Sequence, residues 1–269
     1  MLSKLLKHEF RATGRIGLPL CIGMIALSVL AAIALPLLNR ENVSGIVTTV
    51  STVVIILYIM GFFALTIGVL VVILERFYKS ILRDEGYLTM TLPTSLGKIL
   101  SAKLICAVVW YAIAAVICGI AVSIILMGNI QWGQLLGGIS ELLRALREHP
   151  LELHREDVLW FATLLLECLD VIVLVCLQVT LHFYAAMAIG HSFHKSKVLF
   201  SVIAFFVISW AFNAVALGGA VSGLLEKFTF DGRWSVHLAV GTAAIAALIA
   251  DAVLYAVTHL CLKFKLNLE

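Results

Sequence analysis

The sequence predicts an all-α fold: a polytopic integral membrane protein of six transmembrane helices with both termini cytoplasmic, plus an N-terminal amphipathic interface helix. Three observations predict it. Of the 269 residues, 62% are hydrophobic and 13% charged, roughly half the charged share of ~25% usual in soluble domains. The missing charges leave apolar blocks of about 20 residues or more, the length a helix needs to cross a bilayer core. The Lys and Arg between the blocks divide unevenly between the two sides that six crossings create. A soluble globular domain is excluded by this composition, and a formal charge of +3 gives no reason to expect nucleic acid. One transmembrane domain, residues 1–269, is the natural count.

Residues 1–16 carry the interface helix. Leu2, Leu5, Leu6 and Phe10 fall on one helical stripe, and Lys4, Lys7, His8, Arg11 and Arg15 take the remaining positions. That pattern suits a helix lying in the inner headgroup region, with its cations toward anionic lipid. The apolar run 16–38 is longer than a signal-peptide core of roughly 7–15 residues, and Glu9 precedes it, so it reads as a retained span. The first span covers about 17–38, with Pro19 near its start, where a missing N–H costs little.

A polar link at 39–42 turns the chain into a second span, about 46–74, which is ~43 Å long if wholly helical and must tilt or protrude. Residues 75–103 form a cytoplasmic loop bearing Arg76, Lys79, Arg83, Lys98 and Lys103. The third span follows at about 104–127. The extracellular excursion 128–157 places Leu135, Ile139, Leu142 and Leu146 at helical spacing, which predicts a short surface helix stopped by Pro150.

The fourth apolar run, 158–189, exceeds one level crossing. Its spanning part is placed at 171–189, leaving Glu167 and Asp170 at the outer interface. A basic turn, 190–197, leads to the fifth span at about 198–217. Gly218, Gly219 and Gly223 then weaken a continuous helix, and a re-entrant element within 213–235 or a tight helix contact would each use them. The sixth span runs about 236–262.

With both termini inside, 13 Lys and Arg lie on the cytoplasmic side (4, 7, 11, 15, 76, 79, 83, 98, 103, 195, 197, 263, 265) and 6 outside (40, 144, 147, 155, 227, 233). This obeys the positive-inside rule. The cell membrane, in a bacterium the cytoplasmic membrane, is the expected location.

Little in the chain looks catalytic. Cys21, Cys106, Cys118, Cys168, Cys176 and Cys261 all sit in apolar runs with no CxxC pair, so they read as packing residues. His191 and His194 are three apart, not the four of an HExxH zinc helix. No GxxxxGK[ST] occurs, so any ATP-driven step needs another polypeptide. No metal, cofactor or catalytic residue is assigned, and the chain is not read as an enzyme.

Three acids lie in or beside apolar runs. Asp251 is deepest, where a charge costs roughly 2.5–3.5 kcal/mol on insertion scales. It lines a translocation path with Glu167 and Asp170, or couples to a proton, or makes a hydrogen bond to a Ser, Thr or Asn of a neighbouring span.

Within the first cytoplasmic loop, Gly86-Tyr87-Leu88, Leu92-Pro93, Lys98 and Lys103 resemble the corresponding loop of permease subunits of ATP-binding-cassette (ABC) transporters of the type-2 exporter class. The N-terminal LLKHEFRATGR is similar to that family's interface helix. With the six-span layout the resemblance extends over the whole chain. It implies a coupling helix at 83–93 (Arg83, Asp84, Glu85, Gly86, Tyr87, Leu88, Met90, Leu92, Pro93) that fits a groove on a separate ATP-binding subunit, where ATP and Mg would be held. It also implies a second permease copy, two plus two in all, and export of a drug, peptide or lipid-like substrate. The chain departs from the family in a short region between spans five and six and a long excursion after span three.

Residue chemistry agrees with a docking role: Tyr87, Leu88, Met90 and Leu92 are large apolar side chains on a cytoplasmic segment, costly to leave in water. Two other functions stand beside it. One is an ion-coupled carrier using Asp251, and the other a non-transporting membrane sensor or immunity subunit.

Overall fold

In a computed structural model of the chain, residues 2–38, 40, 44–83, 86, 94–129, 137, 138, 140, 141, 144, 155–193, 196–221 and 233–264 are described. Six long helices organise them: α1 (Leu2–Leu38), α2 (Gly45–Phe77), α3 (Leu96–Asn129), α4 (Arg155–Gly190), α5 (Lys197–Val221) and α6 (Arg233–Phe264). No strand occurs among the described residues. All six helices contain stretches long and apolar enough to cross a membrane, as a multi-pass membrane protein requires.

The helices are longer than the predicted spans. The amphipathic segment and the first span are one uninterrupted helix, α1, with Pro19 and Pro36 inside it. At 37 residues α1 measures ~55 Å, well beyond a ~30 Å hydrocarbon core. The second helix runs past the predicted end at residue 74 and finishes in a π-helical turn, Tyr78–Leu82, with Ser80, Ile81 and Leu82 buried. The fourth is continuous from Arg155, because residues 158–170 have no breaker to separate them from the run beyond. Gly218 and Gly219 lie inside α5, which continues to Val221; two glycines cost helix stability without forcing an end. Residues 222–232 of the expected re-entrant region lie outside the described set, as do most of 130–154.

The chain divides into two compact units. One comprises residues 14–70 and 110–159. Its described core is α1 against α2 and α3, and small residues set the spacing. A Cβ on Gly128 would sit 2.9 Å from the Ala32 carbonyl oxygen, so the α1 and α3 backbones meet there at a distance that only glycine allows. Gly17 lies directly against the ring of Trp110, which is 4% exposed. Buried Cys21, Met24, Ser28, Ala31 and Ala34 recur at three- and four-residue steps along α1, the inward stripe of one helix face.

The other unit comprises residues 1–13, 71–109 and 160–269. Its centre is the stack of Phe77 on Tyr184, with ring centroids 3.7 Å apart and planes within 13°, and both residues are almost wholly buried. Ile81, Leu100, Leu181 and Ala185 of the same unit are also almost wholly buried. At the α4–α5 corner Gly190 abuts the backbone of Ser201. The corner turns through Ser196 at φ 56°, the left-handed region that non-glycine residues rarely occupy. Further along α4, His182 Nε2 lies 3.2 Å from the Phe205 carbonyl oxygen and 3.0 Å from Ser209 Oγ, cross-linking α4 to α5.

Candidate functional site

The 83–95 segment joins α2 to α3 in the chain, and the structure shows how the helix ends on either side of it are held. Glu9, on the third turn of α1, reaches both. Its Oε2 accepts from Arg76 Nε at 3.2 Å, and its Oε1 accepts from Lys103 Nζ at 2.8 Å. One carboxylate thus ties the amphipathic end of α1 to the end of α2 and to the beginning of α3. The three side chains are 12%, 19% and 3% exposed respectively. Arg76 Nη2 also lies 3.4 Å from His8 Nδ1.

Around this cluster the packing is tight. Thr13 Oγ1 donates to the Glu9 carbonyl at 2.9 Å and lies 3.8 Å from Cys106 Sγ. Ile73, Phe77, Ala107 and Tyr184 complete the lining of a small cavity with room for about one water molecule. Ion pairs removed from water in this way require good geometry and full partnering, and removing one partner costs about 3–5 kcal/mol. The cluster is therefore a rigid tie.

The π-helical turn continues the assembly toward the loop. Tyr78 packs edge-on against His191 at 5.5 Å, and the Arg83 guanidinium lies over the Tyr78 ring at 5.9 Å. Gly86 N–H donates to the Arg83 carbonyl at 2.7 Å, and Gly86 is buried. His191 is 4% exposed and its Nδ1 lies 2.9 Å from the Met187 carbonyl oxygen. Burial holds the His191 imidazole below its ordinary pKa; the Met187 carbonyl works the other way, and the nearby Lys197 charge adds to the lowering. π-helical turns are rare and are frequently found at functional sites.

Of the residues assigned to coupling, Arg83 is exposed and Gly86 buried, whereas Asp84, Glu85, Tyr87, Leu88, Met90, Leu92 and Pro93 lie outside the described residues. On α1, Leu5, Leu6 and Phe10 are half-buried and Lys4, Lys7 and Arg11 exposed, so the sequence stripe survives as a structural one.

The three acids go to different places. Glu167 Oε2 pairs with His237 Nδ1 at 2.8 Å, joining α4 to α6 beside Trp160. Asp170 is exposed. Asp251 is 7% exposed, and neither carboxylate oxygen has a hydrogen-bond partner among the described residues. Among the described residues no group of three His, Cys, Asp or Glu is placed to hold a metal.

Sequence reasoning gave Glu9, Arg76 and Lys103 no contact with one another: they entered as an argument against a signal peptide, as basic residues of the topology and as parts of the resembling stretches. The available signal was one acid amid cations, together with a Lys four residues inside an apolar run. Which partners they choose is set by three helices meeting, and no local spacing encodes that. Comparison with protein-family models, with characterised proteins and with solved structures returned no match.

Proposed function

We propose that this chain is the permease subunit of an ABC exporter of the type-2 class, driven by ATP hydrolysis on a separate ATP-binding subunit. Both termini and the 83–95 segment face the cytoplasm in this reading, because that orientation gives the 13-to-6 division of basic residues. The start of α1 lies at the inner membrane surface, with Lys4, Lys7 and Arg11 toward headgroups. The coupling element at 83–93 docks on the partner, which holds ATP and Mg. A second permease copy completes a two-plus-two assembly in the cell membrane, and the cargo is a drug, peptide or lipid-like molecule.

The observation that supports this most directly is the Glu9 tie. A push on the loop would enter through the end of α2 and the start of α3, and one carboxylate binds both to α1. Three helix ends would then respond together. A loop that merely connected two spans would need no buried, doubly paired acid at its base.

The test co-expresses the full chain with an ABC-type ATPase sought in the neighbouring reading frames, and compares the parent with Leu92→Asp and Tyr87→Asp made separately. Each variant is expected to insert normally yet lose co-purification with the ATPase and stimulation of ATP hydrolysis. Variants that insert, co-purify and stimulate like the parent would remove the coupling assignment.

A further inference from the structure

Asp251 is a buried acid of this unit, 7% exposed, with both carboxylate oxygens lacking a hydrogen-bond partner among the described residues. It shares a face of α6 with Leu254, Thr258 and Leu262, all buried, at the three- and four-residue steps that mark one side of a helix. Several polar groups of this unit have partners or positions of their own. The Thr258 hydroxyl donates to the Leu254 carbonyl of its own helix at 2.8 Å. The Tyr255 hydroxyl reaches α3, 3.3 Å from where a Cβ on Gly97 would stand. Of the α3 cations near that crossing, Lys98 is exposed and Lys103 is bound to Glu9. On α6 itself, His259 stacks on Tyr255 at 6.2 Å and His237 is paired with Glu167. Among the described residues no cation, hydroxyl or amide hydrogen-bonds the Asp251 carboxylate.

An ionised carboxylate in such a setting is costly, and in proteins the usual relief is to take up a proton. We propose that Asp251 is a proton-binding site of the sixth span: with this helix face buried it is the neutral carboxylic acid, and it releases the proton to water only when the face opens. The proton comes from and returns to bulk water, and no other bond changes. The burial of the α6 face and the occupancy of one acid are thereby linked. This inference does not depend on an ATPase partner.

The experiment is infrared spectroscopy of the full-length protein in proteoliposomes at neutral pH. Wild type is expected to show a protonated-carboxyl C=O band that is lost in Asp251→Asn. A wild-type spectrum with no such band to lose overturns the proposal. Should Asp251→Asn fail to insert, wild type alone is treated with N,N′-dicyclohexylcarbodiimide, a membrane-soluble reagent whose C=N bond adds the O–H of a protonated acid and rearranges to a stable N-acylurea. An adduct mapped to Asp251 by mass spectrometry supports the proposal, and an unmodified Asp251 overturns it. Neither readout involves ATP, so failure here leaves the permease reading standing, and the reverse.

Discussion

Glu9 and Asp251 are two buried acids of the same unit, and they are treated in opposite ways. Glu9 meets two cations from two other helices, and each of its oxygens has a partner. Asp251 is at least as buried and meets none. A charge with partners from several helices fixes those helices relative to one another, because each partner loses its own compensation if any element leaves. A polar group without a partner fixes nothing, and its free energy depends on protonation and wetting. The first arrangement suits a joint that transmits displacement. The second suits a position whose state changes during a cycle.

The contrast is broken most severely by Glu9→Ala, which leaves the Arg76 and Lys103 charges facing each other in a buried site. The expected loss is about 3–5 kcal/mol, read as a drop in unfolding temperature on the order of 10 °C in detergent. A drop within experimental error would mean that the tie contributes nothing to the unit. Asp251→Leu should behave in the reverse sense. It removes an unsatisfied polar group and keeps a comparable volume, so stability is expected to change by less than about 1 kcal/mol or to rise. A loss as large as that for Glu9→Ala, measured in the same assay, would place Asp251 among the structural acids.

The smallest effect concerns His191, beside the π-helical turn. Its pKa is depressed on folding, chiefly by burial, so below the ordinary value near 6.5 the unfolded chain binds the proton first. The stability it contributes is therefore complete above that value and drains away as pH falls through the folded one. Unfolding temperature followed from neutral toward acid pH should decline more steeply in the parent than in His191→Gln. Parallel curves would count against a buried neutral imidazole at this corner.

Much of the architecture was legible in the residues. Six apolar runs separated by short polar links could hardly be anything but six long helices, since no other open backbone arrangement satisfies its own hydrogen bonds in lipid. The stripe of Leu5, Leu6 and Phe10 against Lys4, Lys7 and Arg11 was equally plain. The ends of elements were not. α2 runs on into a π-helical turn and α4 begins at Arg155, because apolar and polar stretches alike have helical propensity and only a breaker or a competing contact stops them.

By itself, then, the sequence determined the class, the number of long helices and the amphipathic character of the first turns, all of which follow from local periodicity and from the length a bilayer demands. Only the tertiary structure decided that Glu9 finds Arg76 and Lys103, that Glu167 finds His237, and that Asp251 finds nobody. Partner choice depends on which faces of distant helices meet, and side-chain spacing along one helix carries no record of the rotation of its neighbours.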